Sequence, residues 1–185
     1  MKRIIPFLLV LFLLSGCAAA NDGMNRAMAL RSAILAKGAR FDATVTADYG
    51  DRTYSFGMLC SLDSDGTLTF SVTAPETIAG ITGSVSSSGG KLTFDDKALA
   101  FSLLADGQVS PVSGPWLLMK TLRSGYLTSC GIEDGCVRIA IDDSYADDAL
   151  HLDVWLDEND LPKRGEVLWR GRRILSVDIE NFVFL

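Results

Sequence analysis

His151 is the only imidazole in the chain, and a general base needs a nucleophile or a substrate proton within hydrogen-bond reach. Strand alternation puts His151 on the face opposite Leu150 and Leu152, beside Asp153 and Trp155. No G-x-S-x-G elbow and no catalytic cysteine signature accompanies it, so it reads as a surface histidine in a chain that is not an enzyme. Asp63-Ser64-Asp65-Gly66 looks like the middle of a Ca²⁺ loop. On that template, however, Ser61 and Val72 fall where a carboxylate and a bidentate glutamate are required. These residues therefore read as a hairpin turn, and neither metal nor cofactor is expected. Asp142, Asp143, Asp147 and Asp148 crowd one connection, and Arg170, Arg172 and Arg173 surround Gly171 in another. Both read as solvated loops. The functional alternatives are weak cation binding or a basic partner for the first, and lipid headgroups or an acidic partner for the second.

Cysteine chemistry divides by position. Cys130 and Cys136 flank Gly131 to Gly135, a segment that reads as a hairpin connection, so a disulfide across two strands is expected, with free thiols as the alternative. A zinc site would need more ligands than these two and the distant His151 provide. Cys60 lies on the apolar phase of its strand and reads as a buried, inert thiol.

Cys17 is different. Lys2 and Arg3 precede an apolar run from Ile4 to Leu14, which ends in Leu14-Ser15-Gly16-Cys17. This is the pattern of a secretory signal peptide, and its ending resembles a bacterial lipobox. That motif implies removal of residues 1–16, diacylglyceration of the Cys17 thiol and acylation of the new amino terminus, palmitate among the acyl groups. The run is too short to cross the roughly 30 Å of a bilayer core. Residues 17–23 would then be a lipidated tether and residues 24–185 one domain. The expected location is extracytoplasmic, lipid-anchored to a bacterial membrane. That is the outer membrane in a two-membrane cell, since Ala18 is not a retention aspartate, or the plasma membrane outer leaflet in a one-membrane cell. The chain carries a net charge of −6, and about −8 once Lys2 and Arg3 are lost. Nucleic acid is therefore not an expected partner.

The elements that would position these residues follow from periodicity. Met24 to Lys37 carries apolar residues at helical spacing and Gly38 ends it. From Phe41 the period changes to two, and three strands, 41–49, 54–62 and 68–72, form a meander. Weaker strands follow at 82–86, 91–95 and 99–104, then a short, strongly apolar helix from Pro115 to Ser124. Strands at 126–130, 136–141, 150–156, 165–169 and 173–184 complete the chain, with a bulge expected near Asn181, where the apolar phase switches. The sum is an α+β domain on a strongly curved antiparallel sheet of about eleven strands, covered by two helices.

Four segments stand in a telling order: Asp65-Gly66 ahead of Leu68-Thr69-Phe70, Pro75-Glu76-Thr77-Ile78-Ala79-Gly80-Ile81, Val154-Trp155-Leu156-Asp157 leading to Leu161-Pro162-Lys163-Arg164, and Arg173-Ile174-Leu175-Ser176-Val177 ending in Asn181-Phe182. By these segments the chain resembles the LolA/LolB superfamily of bacterial envelope proteins. The resemblance implies an incomplete β-barrel closed by helices over an apolar cavity that holds a lipid or a lipoprotein acyl chain. Phe41, Val45, Tyr54, Phe56, Met58, Leu68, Phe70, Val72, Leu152, Val154 and Val177 would line it, with Trp116, Leu117 and Met119 as a lid. The same residues would also fill a closed core, in which case the domain would dock an envelope protein and hold no ligand. The anchor is closer to LolB than to the soluble LolA. The polar loop Ser86 to Gly90, however, lacks the apolar tip by which LolB engages a membrane.

Overall fold

The computed structural model describes residues 22–102, 104–105 and 108–185. Cys17 and the signal peptide lie outside the described residues. Residues 22–36 belong to helix α1, so Asp22 and Gly23 are already helical and not tether. Gly23 sits against Cys130 and Val137, and this packing carries the helix past the point where its apolar stripe fades. Ala27, Leu30 and Ile34 form the buried stripe at the i, i+3, i+7 spacing of one helix face.

The chain then runs through β1 (Ala39–Asp48), β2 (Thr53–Leu62), β3 (Leu68–Ala74), β4 (Thr82–Ser86), β5 (Gly89–Phe94) and β6 (Lys97–Phe101). A small ribbon, β7 (Leu104–Ala105) with β8 (Gln108–Val109), leads through a 3₁₀ turn (Pro111–Ser113) into α2 (Gly114–Ser124). The second half is β9 (Tyr126–Glu133), β10 (Cys136–Asp142), β11 (Leu150–Leu156), β12 (Pro162–Trp169) and β13 (Arg172–Phe184). The expected strand 99–104 is thus divided between β6 and the ribbon.

Eleven strands form one antiparallel sheet in the order β6-β5-β4-β3-β2-β1-β13-β12-β11-β10-β9. The edges β6 and β9 do not pair, so the barrel is incomplete, as the resemblance implied. This order also fixes the role of α2. The first half ends at one edge and the second half begins at the other, so the connection has to cross the sheet, and it does so as an apolar helix packed on β1, β10, β12 and β13. Gly165 on β12 makes the approach close, since a Cβ there would fall 2.5 Å from a methyl of Leu118.

The bulge expected near Asn181 is present. Arg40 pairs with Val183 but Asp42 with Glu180, and Asn181 takes a φ of +53° while its side-chain amide donates to Asp42 at 2.7 Å. The offset turns Phe182 inward, where it stacks on Phe41 at 5.6 Å between ring centroids.

The Cys130–Cys136 disulfide does not form, and Cys60, Cys130 and Cys136 are free thiols. The hairpin turns at Asp134-Gly135, both at positive φ, which pairs Cys136 with Glu133 and leaves Cys130 opposite Ile139. The two cysteines are therefore three ladder positions apart, roughly 10 Å, and point to opposite faces. A disulfide needs Cα atoms within about 7 Å.

Candidate functional site

The expected lining and lid residues come together in one cluster, but as a filled interior. Phe41, Val45, Phe56, Met58, Leu68, Phe70, Val72, Leu152, Val154 and Val177 are buried, as are Trp116, Leu117 and Met119 of α2. Leu118, fully buried, occupies the middle of the concave face. Tyr54 is the exception. It is 48% exposed near the β1–β2 turn, with its ring edge-on to Tyr49 at 6.1 Å.

Space remains at the rim. An apolar crevice of about 250 Å³ lies between Tyr49, Val109, Trp169, Ile174 and Leu175, with Asp48, Arg170 and Arg172 at its mouth. Two neighbouring hairpin turns, β1–β2 and β12–β13, bring these residues together, because β1 and β13 are hydrogen-bonded partners. Tyr49 donates a long hydrogen bond, 3.4 Å, to the carbonyl of Val109. Burial, with Tyr54 beside it, pushes the Tyr49 phenol up, so it remains a donor at neutral pH. A second crevice of about 190 Å³ lies on the other side of Val109, where Trp116, Leu117 and Leu150 meet Ser87, Ser113, Lys120 and Asp143. Each is smaller than the roughly 300–1,000 Å³ of a pocket that encloses a drug-sized ligand, so each suits the end of one hydrocarbon chain.

The chemistry-bearing residues of the sequence lie elsewhere, on the convex face. His151 Nδ1 is 2.7 Å from Asp142, and its Nε2 is 3.6 Å from the buried Asp153, which takes a bidentate pair of bonds from Arg138. Trp155 lies between Arg138 and Arg164, each cation within 6 Å of its ring. Asp153 raises the Arg138 pKa, chiefly by hydrogen bonding. This is a cross-strand ladder of paired charges, and among the described residues no hydroxyl or thiol takes part in its hydrogen bonds. Asp63 accepts from Thr67 N–H at 2.8 Å and Gly66 carbonyl accepts from the Trp116 indole at 2.9 Å, so the aspartate-rich loop is a turn tied to α2. Among the described residues no cluster of His, Cys, Asp and Glu is arranged to hold a metal ion.

No family model matches the sequence, and no curated protein does. Solved structures do. The fold is similar to LolA-superfamily structures. A LolA superfamily protein from Nitrosomonas europaea aligns with a TM-score of 0.44 at 9% identity, over 89% of this chain and 92% of that one. The Mycobacterium tuberculosis lipoprotein LppX aligns at 0.43 and 12% identity, over 89% and 95%. An uncharacterized conserved protein from Thermus thermophilus aligns at 0.48 and 10%, over 90% and 87%. The architecture itself stands on the strand order and register described above.

Of the rim crevice, sequence reasoning had Tyr49 in the correct phase of β1 but did not assign it, and missed Val109, Trp169, Ile174 and Leu175 as a group. The signal that was present is the placement of Tyr49 and Trp169 at strand ends, each beside a glycine-containing turn.

Proposed function

We propose that this chain is a membrane-anchored, non-catalytic lipoprotein of the bacterial envelope whose half-barrel takes up the acyl chain of a lipid or of another lipoprotein, through the rim crevice beneath Val109. One observation carries the reading. Walls of Tyr49, Val109, Trp169, Ile174 and Leu175 form an apolar opening that is continuous with the buried core. Hydrocarbon entering it gains roughly 0.8 kcal/mol per buried CH₂ without any polar chemistry. Val109 lines both crevices, so its displacement would join them and lengthen the site.

The described chain begins at the far end of the sheet from this opening. The first turn of α1, which leads back towards Cys17, lies at the β11–β12 turn, where Arg26 pairs with Asp160. The crevice opens at the opposite end of β12, so an anchor at Cys17 would leave its mouth on the far side of the domain.

A second reading is a solid scaffold that docks an envelope protein. It is favoured by the filled concave face and by β6, an edge strand whose Leu99 is 64% exposed. Cells fed a diazirine-bearing fatty acid, irradiated and analysed by peptide mapping separate the two. Acyl uptake gives adducts on the segments holding Tyr49, Val109 and Trp169–Leu175. Adducts absent there, or confined to the tether, would refute it.

A further inference from the structure

The geometry points to an anionic head on the bound acyl chain, held by Arg170 at the mouth of the crevice between the β1–β2 and β12–β13 turns. This rests on the acyl-chain reading and adds the class of amphiphile.

The charges at the mouth are not equivalent. Asp48 is committed, accepting from Gly50 N–H at 2.8 Å and pairing with Arg172 at 3.4 Å. Arg173 is paired with Glu166 at 2.9 Å. Arg170 has no carboxylate partner among the described residues. Its guanidinium stacks on Trp169, 4.6 Å from the ring centroid, and Trp169 is itself a wall of the crevice. The cation thus lies over a wall of the crevice on its solvent-exposed side, with its five donors unused by any acid among the described residues.

The backbone gives a second, independent reason. Trp169 pairs with Arg172, so Arg170 and Gly171 are the two central residues of the turn, with φ of +50° and +76°. Such a turn favours Asn-Gly or Asp-Gly, and an arginine in the left-handed region is disfavoured. Turn formation therefore does not explain Arg170, whereas a cation at the mouth does. Long-range attraction does not explain it either, since the chain is acidic overall. Carboxylate and phosphate heads share the planar or forked acceptor geometry that a guanidinium meets with two bonds.

The test uses the mature lipoprotein in phosphatidylcholine nanodiscs and three photoreactive probes of matched chain: a fatty acid, the corresponding fatty alcohol, and a phosphatidylglycerol. Labelling is quantified on the segments holding Tyr49 and Trp169–Leu175. Both anionic probes, or either one, should label about fivefold more than the alcohol, the scale of a partly exposed ion pair. The fatty acid alone marks a free amphiphile as the source, and the phosphatidylglycerol marks a membrane lipid. Arg170→Asn should bring the ratio to about one while leaving the melting temperature equal or higher, because Asn accepts a positive φ more readily. Arg172→Gln should lower the ratio less. Equal labelling by alcohol and acid in the wild type, or an unchanged ratio in Arg170→Asn, would overturn the inference and leave acyl binding standing. No labelling by any probe would refute the acyl-chain reading itself.

Discussion

Thr121 is buried in α2 with a hydroxyl that has no hydrogen-bond partner. A buried donor left unpaired loses its water without compensation, so Thr121→Val should be neutral to stabilising by about 1 kcal/mol, read as a higher urea midpoint at unchanged slope. Cys60 makes the opposite point about a group that is well placed when neutral. Burial, with Asp42 nearby, pushes its thiol from an ordinary 9.0 up to about 12. Native alkylation at pH 8 should therefore modify Cys136 first, Cys130, whose thiol burial also pushes up, more slowly, and spare Cys60 until denaturant is added. The sign of the linked stability follows. The unfolded chain releases the Cys60 proton near its ordinary value, while the folded chain keeps it to about 12. Stability should then fall as pH rises through that interval, by up to about 1.4 kcal/mol per unit from this group, and Cys60→Ala should remove that part of the slope. At this scale the sequence was legible where alternation decides and not where register does. Cys60 is buried as its phase required. The disulfide failed because the Asp134-Gly135 pair, itself the strongest two-residue hairpin signal, places the turn at the end of the glycine-bounded segment and not at its centre.

At the scale of elements, α2 is the decisive piece, and the reason lies in connectivity. A chain that leaves one edge of an open sheet and returns at the other has to cross a face, and an apolar helix is the form that can cross the concave one without burying unpaired backbone groups. Its seat depends on Gly165. Gly165→Ala would drive a Cβ to within 2.5–2.7 Å of both methyls of the fully buried Leu118, which would have to shift within the core. The expected cost is about 1–3 kcal/mol, measured by chemical denaturation, and a mutant as stable as the wild type would mean that α2 sits more loosely than described. The helices, the meander and the bulge at Asn181 were all legible, because each writes its period or phase shift into a run of residues. The ribbon of β7 and β8 was not: strands of two residues carry no period.

For the whole molecule, the sheet separates the N-terminal end of the described α1, at the β11–β12 turn, from the crevice at the β12–β13 turn. If Cys17 carries the proposed anchor, in a Cys130→Ser, Cys136→Ser background a fluorophore at Asp51→Cys should be quenched less by a membrane-surface dye than one at Asn159→Cys, since the first lies at the rim and the second beside the first described turn of α1. Equal quenching would mean that the domain lies flat on the bilayer. The half-barrel was legible from the number and alternation of its strands. The crevice was not, because its volume comes from the convergence of two turns with Val109, residues far apart in the chain whose meeting depends on sheet curvature.

The claim on which the rest depends is that hydrocarbon enters at the rim and not beneath α2. Val109→Trp tests it most directly, since the indole would fill the crevice while the sheet below remains unchanged. Photolabelling by the diazirine fatty acid should be lost from the Tyr49 and Trp169–Leu175 segments, with the β-rich circular dichroism spectrum and cooperative unfolding retained. Labelling that persists in this variant, or that appears on the segments holding Val45, Val154 and Val177, would contradict the account.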